Sequence, residues 1–226
     1  KISCDFVGHP LLEIKSYDKI DINQVVGKNK AIISVFPGSR ISEINTLMPI
    51  LLNFIKLMSR KYNDITYVFH SNIEHNNLIN SSIKNSELPN CEVISDSKIK
   101  SHLLRKSIFA VAKSGTVSLE ICNAKIPSVI VYKMNFINFL IIKMIVKINF
   151  ANIINIAANE EIIPELLQSK CNSKNIYKVV SNFLDTPSKI EEQVKKTQIV
   201  INRFRTNKPS AELASHALNN ILLRQI

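Results

Sequence analysis

Short apolar runs alternate with longer amphipathic segments along the chain as far as Tyr132. Each apolar run has the length of a buried strand, and each longer segment repeats apolar residues at helical spacing. The predicted strands are residues 31–36, 65–69, 91–94, 108–112 and 128–132. The predicted helices between them are residues 42–61, 73–84, 99–106 and 116–124. This alternation predicts an α/β fold, a Rossmann-like parallel sheet with helices on both of its faces.

Beyond Tyr132 the pattern becomes mostly helical. Helices are predicted at residues 136–147, 160–168, 173–184, 188–205 and 209–223, and residues 153–157 are left open. A βα core followed by a helical C-terminal tail is therefore expected.

The first 30 residues differ from both of these regions. They hold a strand-like segment at residues 2–7, the turn Gly8-His9-Pro10 and a polar stretch, which we interpret as an interdomain connector. Residues 31–226 are then one domain. Because the chain begins with Lys1 and a segment that resembles a strand already under way, we expect a piece of a longer protein.

The charge balance favours acidic partners, since the net charge is +11 and the pI about 9.5. The sequence is also rich in Ile, Asn and Lys, so composition alone accounts for part of this charge. A basic nucleic-acid-binding module remains an alternative class of protein. Basic residues are not interleaved with exposed aromatic ones, however, and Trp is absent, so we predict no nucleic acid partner.

Metal and cofactor motifs are missing from the sequence. The four cysteines form no CxxC pair, and the histidines show no ligand spacing, so no metal site and no cofactor are predicted. His70 and His75 are interpreted as surface residues. Neither a P-loop nor a GxGxxG motif occurs, and no DxD motif would chelate a metal to a diphosphate.

The first motif with candidate chemistry is Gly38-Ser39-Arg40, directly after the first core strand. Ligands in open α/β sheets bind at the carboxyl ends of the strands. Gly38 allows a close backbone approach, Ser39 supplies a hydroxyl, and Arg40 can donate to two phosphate oxygens beside a helix N-terminus. An ordinary strand-to-helix turn with a solvated Arg is the alternative.

The second motif, Ser114-Gly115-Thr116, also follows a predicted strand and precedes a helix. Its hydroxyls and amides could hold a diphosphate, and the carboxylate of Glu120 could accept hydrogen bonds from a ribose. A glycine turn with a solvated Glu is the alternative. Two such turns in one sheet indicate a nucleotide diphosphate site at its edge.

A third segment, residues 132–150, contains the predicted helix 136–147 and combines apolar bulk with Lys133, Lys143 and Lys147. This combination suits an interfacial helix on an anionic membrane surface. A core helix that covers the sheet is the alternative, and both roles are compatible.

The ordered set of motifs resembles the lipid-A-disaccharide synthase family over nearly the whole chain. The resemblance is carried by Phe6-Val7-Gly8-His9-Pro10-Leu11, Pro37-Gly38-Ser39-Arg40 with Glu43-Ile44, Ser114-Gly115-Thr116 with Leu119-Glu120, Ala124-Lys125-Ile126-Pro127, Tyr132-Lys133-Met134 and Pro164-Glu165-Leu166-Leu167-Gln168. It implies the carboxyl domain of a glycosyltransferase-B fold, which binds the UDP-sugar donor while the amino half binds the acceptor.

The implied reaction transfers 2,3-diacylglucosamine from UDP to 2,3-diacylglucosamine 1-phosphate. It forms a β-1,6 linkage with inversion, uses no metal and takes place on the cytoplasmic side of the inner membrane. The family's catalytic base lies in the amino half, which we expect to be absent here. His9 and Glu165 are the candidate bases within this chain. A separate amino-half polypeptide or a homodimer partner is therefore expected, and the chain alone is expected to be inactive.

The resemblance also assigns substrate contacts. Arg40 would face the diphosphate, Ser114, Gly115 and Thr116 would hold phosphate, and Glu120 would hold the ribose. The backbone near Ile94 would contact uracil, Asn155 would lie beside the cleft, and Glu165 belongs to the last matching motif.

The sequence departs from the family pattern at one turn. The usual Pro-Asn and Gly-Arg are replaced by Ile154-Asn155 and Asn159-Glu160. This puts the local turn and one cationic contact in question. The alternative enzyme is another glycosyltransferase-B member, a UDP-GlcNAc transferase or epimerase.

Overall fold

A computed structural model describes residues 4–13, 26, 30–88, 90–134 and 149–223. Its centre is one six-stranded sheet in which every neighbouring pair of strands is parallel, in the order β3-β2-β1-β4-β5-β6. The strands are β1 (Ala31–Phe36), β2 (Ile65–His70), β3 (Cys91–Ile94), β4 (Ser107–Lys113), β5 (Ser128–Tyr132) and β6 (Glu165–Leu167). The predicted α/β class and the first five predicted strands are confirmed.

Helices follow most of the strands and cover the sheet. They are α1 (Ile41–Met58), α2 (Asn76–Lys84), α3 (Ser97–Lys106), α4 (Val117–Asn123), α5 (Ile153–Ala158), α6 (Ser173–Leu184), α7 (Pro187–Asn202) and α8 (Ser210–Leu223). Short 3₁₀ turns occur at Pro10–Leu12, Ile73–His75 and Gln168–Lys170. The helices therefore agree with the predicted helical tail, and residues 153–157, for which the sequence pattern is ambiguous, are helical.

Period-two alternation divides the strands between two cores. In β1, Ile33 and Val35 pack into the core formed with α1, α2 and α6, whereas Ile32 and Phe36 lie on the opposite face. That second face is covered by α3, α4, α5 and α7. Burial on both faces explains why the strands are almost continuously apolar in sequence.

Helix α1 is packed against the sheet. Within the described ranges it is the one helix long and apolar enough, by length and composition alone, to cross a membrane. Its buried residues are Ile44, Leu47, Met48, Leu51, Leu52, Phe54, Ile55 and Met58. This burial is that of a core helix.

The helix predicted at residues 160–168 is wrong. Residues Glu165–Leu167 form β6, which adds to β5 with Ile130 opposite Glu165 and Tyr132 opposite Leu167. Pro164 disfavours helical geometry at the preceding residue, and Asn159, in the left-handed conformation with φ 54°, already ends α5. The apolar residues of this segment therefore serve a buried edge strand.

Three other predictions concern the strand at residues 2–7, the helix at residues 136–147 and the connector boundary at residue 30. The described residues Cys4–Val7 form no strand, so the strand predicted at 2–7 is wrong for them. The helix predicted at 136–147 lies outside the described residues. The connector boundary at residue 30 stays a prediction, although the amide of Ser210 donates to Glu13 at 2.6 Å and so joins the start of the described chain to its end.

Candidate functional site

A cleft of about 300 Å³ opens at the carboxyl edge of the sheet. Both glycine–serine motifs reach it, because β1 and β4 are neighbours and their following turns meet at the same edge. The residues that line it are Phe36, Gly38, Ser39, His70, Ser71, Asn72, Ser95, Ser97, Lys100, Lys113, Ser114, Gly115, Thr116 and Val117. The sequence-predicted residues Gly38, Ser39, Ser114, Gly115 and Thr116 are thus brought together.

The first turn is shaped by the contact between Gly38 and Glu43. Gly38 has φ +119°, and a Cβ atom on it would lie 2.7 Å from Oε2 of Glu43. This conformation and this closeness both require glycine. The Glu43 carboxylate accepts a hydrogen bond from the Ser39 amide at 3.1 Å, which fixes the turn just before α1 begins.

The carboxylate of Glu43 also binds two cations, Arg40 at 3.0 Å and Lys113 at 2.9 Å. Since Arg40 precedes α1 and Lys113 ends β4, these contacts join the two turns. We call Ser39, Arg40, Glu43 and Lys113 the cleft cluster. Burial raises the pKa of Glu43, but hydrogen bonds from Lys113, the Ser39 amide and Arg40 outweigh it, and the net pKa lies below its usual value.

The two cations of the cleft cluster differ in exposure. The Arg40 side chain is 76% exposed and is not among the residues that line the cleft, whereas that of Lys113 is 18% exposed and lines it. The Lys113 ammonium is also 5.1 Å from the centre of the Tyr132 ring. Arg40 is therefore an exposed cation paired with Glu43, while Lys113 is held in place by Glu43 and the Tyr132 ring. Sequence reasoning missed Lys113 as a site residue, although its position at the end of a strand could have indicated it.

The second turn, Ser114-Gly115-Thr116, is anchored to the segment that precedes α5. The Ser114 hydroxyl donates to the carbonyl of Ala151 at 2.8 Å, so this turn is tied to the chain just before α5. Gly115 and Thr116 follow and lead into α4. The two turns thus present backbone, hydroxyls and Lys113 to one space, which suits an anionic ligand.

Glu120 lies next to the cleft, in a smaller cavity of about 120 Å³ that shares Ser97 and Lys100 with it. Its carboxylate pairs with the Lys100 ammonium at 2.8 Å. Lys100 in turn lies 5.7 Å from the centre of the Phe36 ring, inside the cleft. A ligand that spans both cavities would meet this ion pair at their junction.

His70 is a buried residue of the cleft floor, so its interpretation as a surface residue is wrong. It is 6% exposed, and its ring stacks on that of Phe36 with centres 4.3 Å apart and planes 8° from parallel. The strand continues one residue beyond the predicted boundary at Phe69, and this places His70 on the face covered by α3.

Asn155 and Glu165 do not line the cleft. With Asn152 they form a second group, which we call the buried network. The Glu165 carboxylate accepts hydrogen bonds from the Ala151 amide at 2.7 Å, from the Asn152 amide at 2.9 Å and from Nδ2 of Asn155 at 2.8 Å. The structure therefore does not bring Asn155 and Glu165 to the lining of the cleft, and their polar groups are engaged in hydrogen bonds inside the protein.

The side chain of Asn155 has its hydrogen-bonding capacity filled. Its oxygen accepts from the Ile162 amide at 3.0 Å and the Ile163 amide at 2.9 Å, and its nitrogen donates to the Ile163 carbonyl as well as to Glu165. The buried network thus holds the turn before β6 and supports Ala151, which anchors Ser114.

Ile94 and His9 lie outside the lining of the cleft. Ile94 ends β3, its carbonyl accepts from the Ser71 amide at 2.9 Å, and the next residue, Ser95, reaches the cleft. His9 accepts a hydrogen bond from the Leu11 amide at 3.3 Å and lines a different cavity with Phe204 and Thr206. The structure does not bring His9 to the cleft as a base.

Metal ligands do not cluster in the part of the chain that the structure describes. No group of three or more His, Cys, Asp and Glu side chains there could hold a metal ion. Positive charge in the cleft comes from the side chains of Lys100 and Lys113, and Arg40 adds an exposed charge nearby through its pair with Glu43.

Solved structures with this architecture define the class of fold. A Staphylococcus aureus MnaA–UDP co-structure has a TM-score of 0.61 over 96% of this chain and 53% of its own, with 13% sequence identity. The C-terminal domain of a group 1 glycosyl transferase from Francisella tularensis has a TM-score of 0.54 over 85% of this chain and 96% of its own, also at 13% identity. The chain therefore has the carboxyl-domain fold of the glycosyltransferase-B class.

Sequence comparison identifies the family. The family model described as lipid-A-disaccharide synthetase matches residues 1–218. Lipid-A-disaccharide synthases of Rickettsia prowazekii and of a Sulfurihydrogenibium species are each 31% identical over 98% of this chain. The chain belongs to the lipid-A-disaccharide synthase family. It spans 59% and 60% of the length of these two relatives.

Proposed function

We propose that this chain is the donor-binding half of a lipid-A-disaccharide synthase and that its cleft binds UDP-2,3-diacylglucosamine. One observation carries the proposal. The Glu43 carboxylate joins the two glycine–serine turns at the carboxyl edge of the sheet, because it binds Ser39 and Arg40 of the first turn and Lys113 just before the second. The family match supports it, as does the co-structure of a similar fold with UDP.

The diphosphate and the ribose of the nucleotide can each be assigned to a part of the cleft. The diphosphate would lie between Ser39 and the turn Ser114-Gly115-Thr116, where Lys113 and Arg40 supply positive charge. The ribose would extend toward Glu120 in the adjoining cavity. Charge-assisted hydrogen bonds of this kind contribute about 1.5–3 kcal/mol each.

In the proposed reaction the 6-hydroxyl of 2,3-diacylglucosamine 1-phosphate attacks the anomeric carbon of the donor. The new β-1,6 bond forms with inversion as the bond to UDP breaks and its electron pair leaves with the diphosphate. The two cations stabilise that developing charge. The proton of the hydroxyl passes to a base that, by family resemblance, belongs to the amino half.

The direct test of binding is calorimetric titration with UDP, UMP and ADP. UDP should bind more tightly than UMP, because the diphosphate contacts are lost with UMP, and more tightly than ADP. Equal weak binding of all three would contradict a UDP site. Titration with the diacylated donor and with plain UDP-GlcNAc then separates the synthase from a UDP-GlcNAc transferase or epimerase, since the synthase site should prefer the acylated ligand.

The test of catalysis is disaccharide formation from both lipid substrates. The 226-residue chain alone should give no measurable product, because loss of general base catalysis typically costs about 10²–10⁴-fold and loss of acceptor positioning costs more. Addition of a matching amino half, whether a separate polypeptide or part of a partner subunit, should restore product. Robust product from the chain alone would contradict the half-site proposal.

The proposed location is the cytoplasmic face of the inner membrane, with residues 136–147 at the lipid surface. The support is their apolar and basic composition in the sequence. The chain should float with anionic vesicles at low salt, and the joint Lys133→Gln, Lys143→Gln and Lys147→Gln variant should float less. Failure of the unsubstituted chain to float would contradict the proposed location.

A further inference from the structure

The His70 side chain has one satisfied and one unsatisfied nitrogen. Its Nε2 lies 2.8 Å from Oγ of Ser34. Its Nδ1 is buried and has no hydrogen-bond partner among the described residues. A buried polar atom without a hydrogen-bond partner costs free energy. The unpaired Nδ1 of His70 in the floor of the cleft therefore indicates that a bound ligand supplies the hydrogen bond.

Proton counting fixes the tautomer of His70. The hydroxyl of Ser107 donates its single hydrogen to the Leu103 carbonyl at 2.8 Å, because a carbonyl can only accept. The contact of 2.7 Å between Ser107 and Ser34 must then use the Ser34 hydrogen. Ser34 has none left for His70, so Nε2 of His70 carries the hydrogen and donates it, and Nδ1 is an acceptor.

The acceptor nitrogen faces the cleft. His70 lies beside Phe36 across the β1–β2 pair, with the two rings nearly parallel, and Ser34 lies two residues back along β1. Nε2 therefore points toward the amino end of the strands. Because Nδ1 is on the other side of the imidazole ring, it points toward the carboxyl edge, where His70 lines the cleft.

The ring is also held neutral. Burial and the nearby positive charge of Lys100 lower the pKa of His70 to about 3. A neutral acceptor nitrogen repels phosphate oxygens, which are acceptors too, and attracts an N–H or O–H group. The cleft thus offers positive charge at Lys113 and an uncharged acceptor at His70.

We propose that His70 is a specificity-determining residue of the cleft, which accepts a hydrogen bond from an N–H or O–H group on the nucleoside part of a bound nucleoside diphosphate. The inference rests on the proposed function, because the ligand is taken to be UDP or its sugar derivative. The donor is the imide N–H of uracil or a ribose hydroxyl, and both offer the same chemistry to Nδ1.

Nitrogen-15 NMR of the histidine rings tests the inference on the unsubstituted chain. Without ligand, the spectrum should show His70 as the neutral Nε2–H tautomer. Saturating UDP should shift the Nδ1 resonance in the direction of an accepted hydrogen bond, and pyrophosphate should not. N3-methyl-UDP should abolish the shift if the imide is the donor, and 2′-deoxy-UDP should abolish it if the 2′-hydroxyl is the donor.

The outcomes separate this inference from the proposed function. UDP binding with an unmoved Nδ1 resonance, or an equal shift with pyrophosphate, would overturn the role of His70 and leave the UDP site intact. Absence of any binding of UDP would overturn both proposals. The His70→Phe spectrum assigns the resonance among the five histidines.

Binding measurements on variants give a second readout. His70→Phe keeps an aromatic ring beside Phe36 but removes the acceptor, so UDP affinity should fall about three- to tenfold. Pyrophosphate affinity should be unchanged. His216→Phe, an exposed position on α8, is the matched control and should bind UDP normally. A His70→Phe variant that folds and binds UDP normally would overturn the inference; if it does not fold, the spectra of the unsubstituted chain decide.

Discussion

The cleft cluster and the buried network use similar residues for opposite purposes. Both contain a glutamate that gathers donors from separate segments, Glu43 in one and Glu165 in the other. Glu43 shares its charge with the partly exposed cations Arg40 and Lys113. Glu165 is buried and accepts hydrogen bonds from two backbone amides and an asparagine inside the fold. Ion-pair partners that a ligand could replace are typical of a binding site. Buried partners whose hydrogen bonds are all made within the protein are typical of a structural role.

The largest expected effect is a loss of stability when the buried network loses Glu165. Glu165→Ala removes the acceptor of the Ala151 amide, the Asn152 amide and Nδ2 of Asn155 together, and each donor left unpaired costs about 1–3 kcal/mol. The free energy of unfolding should fall by about 3 kcal/mol or more, as measured by urea denaturation. Glu191→Ala, an exposed position on α7, should change it by less than about 0.5 kcal/mol. A loss below about 1 kcal/mol at Glu165 would remove the distinction between the two groups.

The next effect is on recognition. Arg40→Ala should weaken UDP binding about tenfold or more while stability changes little, because it removes an exposed phosphate contact of about 1.5–3 kcal/mol. Calorimetric titration measures it. Arg60→Ala, just beyond the opposite end of α1, is the control with the same charge change. Equal affinities for the two variants would contradict the placement of the diphosphate beside the cleft cluster.

A smaller effect is expected at the junction of the two cavities. Glu120→Gln should weaken UDP binding about fivefold, since a neutral amide accepts hydrogen bonds from a ribose less strongly than a carboxylate does. It also releases Lys100 from its ion pair, so pyrophosphate affinity should stay the same or rise slightly. Competition titrations with both ligands measure this. An equal loss for both would indicate general disruption of the pocket rather than ribose recognition.

Sequence patterns are sufficient to predict most of the sheet but not the chemistry of single side chains. The first five strands are short, apolar and separated by helical segments, so the pattern of apolar residues alone predicts where they lie along the chain. It does not predict β6, because these three residues follow a proline in a segment with helical spacing, and only pairing with β5 makes them a strand. Local patterns cannot show such long-range pairing.

The site shows the same limit. The sequence predicts Gly38, Ser114 and Gly115 as site residues because turns after parallel strands meet at one edge of the sheet, and all three line the cleft. The saturation of Asn155 depends on partners eight and ten residues away whose geometry the sequence does not contain. The proposed role of His70 depends on hydroxyls from two other strands, Ser34 and Ser107. Hydrogen-bond partners, rather than residue types, decide between scaffold and site.

The smallest expected effect tests whether the stability that Glu43 provides depends on its negative charge, and so on its ion pairs with Arg40 and Lys113. Its pKa is lowered in the folded chain from the ordinary value of 4.5. A carboxylate with a depressed pKa stabilises the fold above its unfolded pKa, and this stabilisation is lost as the pH falls through the folded pKa. Glu43→Gln should therefore lower the free energy of unfolding at neutral pH by less than about 1 kcal/mol, as expected for partly exposed ion pairs. The gap between variant and unsubstituted chain should close below about pH 4.5.

Urea denaturation between neutral and acid pH measures the two curves. The lowered pKa of Asp185 affects both chains equally and cancels in their difference. Curves that coincide from neutral pH down to the lowest pH would show that Glu43 holds the Ser39 turn as a hydrogen-bond acceptor alone, because Gln keeps an acceptor oxygen. The contrast with Glu165 would then lie in burial rather than in charge.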